Sequence, residues 1–157
     1  MPSVTKETSI SSFPLLIIED SPAIVMLMKE FLNDLGYYDI QTASAGKEGM
    51  LLFENLVKAN KLPIVFLDYN LPDVNANVVL PHILKIKPET KVIVATALEK
   101  GEQAVKNVIS GGAYLYLQKP IRFDNLQNAI EILEGEINAS KKQTTKACQR
   151  FFHTYIA

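Results

Sequence analysis

The sequence predicts an α/β fold, a five-stranded parallel sheet wound with helices on both faces. Three observations carry that prediction. Short apolar runs recur five times along the 157 residues. Longer stretches with apolar residues at helical spacing lie between them. Four of the apolar runs end abruptly in a polar or charged residue. Runs of this content read as strands buried on both faces, and regular strand–helix alternation requires parallel strands joined by right-handed crossovers.

The strands are expected at about 14–18, 39–42, 64–67, 91–95 and 113–117. Ser21 and Pro22 then open a first helix, Ser with a capping oxygen and Pro at a position where its missing N–H costs nothing. Gly36 ends it. Its core stripe reads as Ile24, Leu27, Met28, Phe31 and Leu35, which leaves Val25 and Met26 pointing elsewhere. The second helix is expected at 47–60, with Met50, Leu51, Phe53 and Val57 apolar, and the third at 76–86, stopping before Pro88. The fourth, 101–110, ends at Gly111 and Gly112. The fifth starts near Asp124, a plausible cap, with Leu126, Ala129, Ile130, Leu133 and Ile137 as its apolar face.

Bulk properties narrow the class. The length suits one domain with a full core, expected at 13–136 and followed by a tail at 137–157. No apolar run is long enough to cross a bilayer, and the polar first twelve residues lack a secretory layout. Cys148 is the only cysteine, so no internal disulfide forms and a reducing cytoplasm is the expected compartment. All 17 acids lie in 1–136 with 12 Lys and Arg, leaving −5, whereas Lys141, Lys142, Lys146 and Arg150 give the tail +4. An acidic body does not read as a nucleic-acid binder. His82 and His153 have no companions at metal-ligand spacing.

The ends of the strands carry the chemistry. Glu19 and Asp20 follow the first, Asp68 the third, Thr96 the fourth and Lys119 the fifth. In an open parallel sheet these ends meet along one edge, where ligands bind. Three crowded carboxylates call for a cation, and Mg²⁺, which takes oxygen ligands and keeps several waters, suits them. A carboxylate whose charge is offset in this way can attack phosphorus. Taken alone, Asp68 would read as a cap after its strand.

Glu19-Asp20, Asp68, Asn70 and Pro72, Thr96-Ala97, Tyr116 and Lys119-Pro120 occur in that order at these strand ends. In this the chain resembles the receiver domain of two-component response regulators, the single-domain chemotaxis type in particular, over about 14–133. The resemblance implies a flavodoxin-like (βα)5 fold with strand order 2-1-3-4-5. It implies that Asp68 accepts a phosphoryl group and that Mg²⁺ is held by Asp20, Asp68 and the backbone carbonyl of Asn70, with Glu19 acting largely through water. It further implies that Lys119 reaches a phosphoryl oxygen before a cis Pro120, and that Thr96 and Tyr116 form a switch pair. Such a protein assists its own phosphorylation and dephosphorylation without being an enzyme in its own right. Two positions depart from the pattern: Ala76 stands where many receivers have Gly, and Leu98 where polar residues are frequent. A bulky Leu98 would restrict water and slow loss of the phosphoryl group.

The implied partners are a histidine kinase or histidine phosphotransfer protein, docking through Val25 and Met26, and a downstream protein target. Neither nucleic acid nor a membrane is expected as a direct partner. Phe151 with Tyr155 and Phe152 with Ile156 are helix-neighbour pairs, so the tail extends the last helix, packs on a partner, makes a homodimer or is disordered. Two other readings stay open. The chain would be the N-terminal part of a longer, DNA-binding regulator, or an Mg²⁺-dependent phosphohydrolase with an aspartyl intermediate. The phosphohydrolase reading wants a second aspartate where Asn70 stands.

Overall fold

The computed structural model describes residues 13–98 and 101–142, and of 140–142 the backbone alone. Strands and helices alternate: β1 (Leu15–Ile18), α1 (Pro22–Asp34), β2 (Ile40–Ala43), α2 (Gly46–Lys58), β3 (Ile64–Asp68), α3 (Ala76–Ile86), β4 (Val92–Thr96), α4 (Gln103–Ser110), β5 (Leu115–Gln118) and α5 (Phe123–Lys142). All strands are parallel, in the order β2-β1-β3-β4-β5. This is the predicted doubly wound, flavodoxin-like sheet.

Two cores, one on each face, explain the apolar runs. Alternate residues of a strand point to opposite faces. Ile17, Phe66, Ile93 and Leu117 pack with Met28 and Leu32 of α1 and Leu126, Ile130 and Leu133 of α5. Leu16, Ile18, Val65, Leu67, Val92 and Val94 pack on the other side with Phe53 and Leu56 of α2, Val79 and Ile83 of α3 and Val108 of α4. β1, β3 and β4 are therefore buried at every position, whereas β2, at the edge, is mostly half-buried and carries Gln41 and Thr42.

Helix ends follow local chemistry. Ser21 Oγ accepts from the Ile24 N–H at 3.4 Å, and Pro22 begins α1, as read from the sequence. α1, α2 and α4 end alike. In α1 the Tyr37 N–H donates to Leu32 O and the Gly36 N–H to Asn33 O; Asn60 and Gly112 take the place of Gly36 in the other two helices. All three residues have positive φ, which such an ending requires.

Several boundaries differ from expectation. β3 includes Asp68 and β4 includes Thr96, because the Tyr69 N–H donates to Ala95 O and the Lys119 N–H to Thr96 O, so pairing continues to the strand tips. α4 starts at Gln103, two residues late. Asp124 lies in the first turn of α5, not before it, and α5 runs on to Lys142, so 137–142 are helical. Cys148, His153 and the aromatic tail residues lie outside the described residues. Leu51, read as apolar-facing, is exposed.

The stripe of α1 is also rotated from the one expected. Its centre is Met28 with Leu32, a residue left out of the predicted stripe, and Val25 packs at its margin against the core. Leu27, assigned to the core, is 37% exposed, and Met26 is 72% exposed. At 100° per residue, centring on Met28 and Leu32 brings Val25 inward and turns Leu27 out. The expected outward direction of Val25 is thus corrected. Leu32→Ala should cost about 2–5 kcal/mol in chemical denaturation, whereas Leu27→Ala should cost about 1 kcal/mol or less.

Candidate functional site

The carboxyl-terminal edge of the sheet gathers the polar strand ends. Glu19 follows β1, Asp68 closes β3, and Lys119 follows β5. Alternation along each strand puts all three on the α1/α5 face, two positions after Ile17, Phe66 and Leu117 respectively. Lys119 Nζ donates to Glu19 Oε1 at 2.7 Å and to Asp68 Oδ1 at 2.9 Å. Glu19 and Asp68 are nearly enclosed, at 4% and 5% exposure. Glu19 Oε2 also accepts from the Ser21 N–H at 3.3 Å, so the Glu19 carboxylate spans from the α1 entrance to Lys119.

Asp20 is exposed, yet a carboxylate oxygen from each of Glu19, Asp20 and Asp68 lies within 4.8 Å of the others. Among the described residues, the three acids carry a formal −3 against one ammonium, that of Lys119. The deficit of two charges, with oxygen donors only, matches one hard divalent cation such as Mg²⁺.

Burial alone would lower the pKa of Lys119, but its hydrogen bonds to Glu19 and Asp68, with their charges, outweigh it and raise the value above that of an ordinary lysine. A raised lysine stabilises the fold fully below its unfolded pKa, and that contribution fades as pH rises through the folded value.

Thr96 sits at the tip of β4, 3% exposed, and its Oγ1 accepts from the Leu98 N–H at 3.1 Å. The hydroxyl proton therefore remains available to donate. Thr96 pairs with Gln118 and Val94 with Tyr116, so Thr96 and the half-buried Tyr116 share the sheet face opposite Lys119 and are diagonal neighbours. The Lys119–Pro120 bond is cis. Asn70 is exposed, in the loop between β3 and α3. Of the sequence-predicted residues, the structure brings Glu19, Asp20, Asp68 and Lys119 together. Thr96 stands one residue beyond Ala95, the register partner of Asp68, and Tyr116 lies with it on the other sheet face, while Val25 and Met26 on α1 lie outside this cluster. His82 pairs with Glu54 between α3 and α2 at 3.1 Å.

Asp73 was not singled out by the sequence. Its carboxylate accepts from the Gly46 N–H at 2.8 Å and the Lys47 N–H at 2.9 Å, across to the start of α2. These hydrogen bonds, that of Lys47 foremost, hold its pKa below the ordinary carboxylate value. The available signal was Ala45, a helix cap with no side-chain acceptor, which leaves N–H groups for a distant residue.

Residues 15–131 match the family model described as the response regulator receiver domain. Among curated relatives, a probable C4-dicarboxylate response regulator DctR of Bacillus subtilis is 32% identical over 117 residues, 74% of this chain and 50% of the relative. The chain thus spans half the length of that relative. The chemotaxis protein CheY of Thermotoga maritima is 30% identical over 116 residues, 73% of this chain and 92% of the relative. Among solved structures, the CheX–CheY–BeF3–Mg complex of Borrelia burgdorferi superposes with a TM-score of 0.70 at 28% identity, covering 77% of this chain and 89% of that one.

Removing the ammonium should expose the cost of the buried acids. In metal-free neutral buffer Lys119→Met should destabilise by about 2 kcal/mol, less than a fully buried pair because Lys119 is partly open to water. The wild-type margin over this variant should shrink as pH is raised beyond about 10.4, as read by urea denaturation across a pH series.

Proposed function

Since the chain belongs to the response regulator receiver domain family, we propose that it is a phosphoryl-accepting switch in which Asp68 is the acceptor. The single observation that carries this reading is the enclosed Asp68 carboxylate, held by Lys119 at 2.9 Å within reach of two further acids. Glu19, Asp20, Asp68 and the Asn70 carbonyl would hold Mg²⁺. When bound, the ion supplies positive charge that lowers repulsion between the acceptor and an incoming phosphoryl group.

In the transfer, an Asp68 carboxylate oxygen forms a bond to phosphorus as the bond from phosphorus to the donor breaks. With a phosphohistidine donor that is a P–N bond, whose electron pair stays on the imidazole nitrogen. Lys119 is then free to follow the charge from the carboxylate onto a phosphoryl oxygen. Thr96 donates its hydroxyl proton to another. Drawing Thr96 inward opens room that Tyr116, its diagonal neighbour, fills, and this converts a local charge into a changed surface.

The donor is a histidine kinase or histidine phosphotransfer protein. Met26, exposed on α1 and a few residues beyond Asp20, is the apolar contact for it, with Leu27 beside it in place of Val25. A downstream protein reads the changed surface. Leu98, half-buried and tied to Thr96, limits water at the acyl phosphate and prolongs the active form.

Incubation with acetyl phosphate and Mg²⁺, followed by intact mass, should show the gain of one phosphoryl group. The gain should be absent in Asp68→Ala and when Mg²⁺ is chelated. Turnover of a phosphomonoester with no stable adduct would instead favour the phosphohydrolase reading.

A further inference from the structure

The loop that follows Asp68 is anchored unevenly. Tyr69 is fixed on both sides: its N–H donates to Ala95 O at 2.9 Å and its carbonyl accepts from the Ala76 N–H at 3.0 Å. Its hydroxyl also accepts from Asn77 Nδ2 at 3.1 Å. Among the described residues no hydrogen bond holds Asn70, Leu71 or Pro72. The next anchor is Asp73, which grips Gly46, Lys47 and its own neighbour Val74 through three backbone N–H groups at 2.8–2.9 Å. Among the described residues the three-residue span containing the proposed carbonyl ligand is thus tied by hydrogen bonds at its two ends, Tyr69 and Asp73, with Leu71 between them packed against the core.

The second of these ties depends on close approach. A Cβ on Gly46 would lie 2.4 Å from Val74 Cγ2 and 3.0 Å from Val79 Cγ2, so the start of α2 can be seated this near the loop only without a side chain there. α2 itself has Ala45 at its cap, with no acceptor of its own. One carboxylate thus satisfies the helix start and tethers the loop.

We infer that Asp73 is a positioning residue for the metal pocket, setting the place of the Asn70 carbonyl by clamping the far end of its span to α2. This rests on the metal pocket proposed above. Mg²⁺ tolerates little departure from octahedral geometry, so a carbonyl released at one end binds it more weakly, although Asp73 touches neither the ion nor the reacting atoms. Supporting groups of this kind typically change metal affinity by an order of magnitude or more.

The test separates loop positioning from helix stability. Ala45, in an extended cap conformation with φ −146° and ψ 156°, is suited to become a serine cap. Mg²⁺ affinity is measured by isothermal titration calorimetry on wild type, Asp73→Ala and the double variant Asp73→Ala/Ala45→Ser, with the Tm of each recorded metal-free. The expected result is a lowered Tm in the single variant, recovered in the double, and Mg²⁺ binding weakened roughly tenfold in both. Wild-type affinity in Asp73→Ala, or its return in the double variant, would overturn the inference. Wild type that binds no Mg²⁺ would instead overturn the metal pocket itself, and the positioning role with it.

Discussion

One ammonium shared by two enclosed carboxylates is the constraint around which this molecule is arranged. Lys119 meets Glu19 and Asp68 from 100 and 51 residues away in the chain. None of the three would be tolerated in so dry a place alone, because an unpaired charge away from water is costly. Their meeting depends on β1, β3 and β5 ending level along one edge and presenting the same face, which a parallel sheet with short crossovers provides. The chemistry of the edge follows from how this trio falls short. Among the described residues one ammonium faces three acids, and the residual negative charge with its oxygen donors suits a divalent ion.

The same edge shows what local sequence can and cannot convey. The polar residues at the strand ends were visible because each interrupts an apolar run whose burial is dictated by composition. Ser21-Pro22, Gly36 and the Gly111-Gly112 pair marked helix ends because their backbone preferences are local. Asp68 as the last residue of β3, and not the first of a loop, was not visible, since that is decided by a hydrogen bond to Ala95 in another strand. The rotation of α1 was hidden for a related reason. Ile24, Val25, Leu27, Met28, Phe31 and Leu32 are all apolar, so periodicity admits more than one stripe, and packing against α5 and the sheet selects among them.

Distance in sequence conceals tethers most of all. Asp73 sits in a polar stretch that reads as an ordinary turn, yet it completes a helix that begins 27 residues earlier. The direct pairing of Lys119 with Glu19 was equally unforeseen. A glutamate at that position reads as one more acid in the pocket, and only its reach shows it to be the resting partner of the lysine. Both cases concern a side chain whose length or position fits a need created elsewhere in the fold.

The opposite edge of the sheet has its own ties. The Tyr37 hydroxyl, at the entrance to β2, donates to Glu134 Oε1 at 3.0 Å, and burial together with that carboxylate raises its pKa far above the ordinary tyrosine value. Lys91, just before β4, reaches Glu136 Oε1 at 3.1 Å while lying over the Tyr114 ring at 4.6 Å. Both acids belong to the middle turns of α5, whose first turn follows the cis Lys119–Pro120 bond. The helix is thus tied from its middle turns to the opposite edge, while its first turn lies close after Lys119. The first turns of α5 are themselves seated in the core through Leu126 and Ile130, so any displacement of Lys119 meets a helix held along both its early and its middle turns.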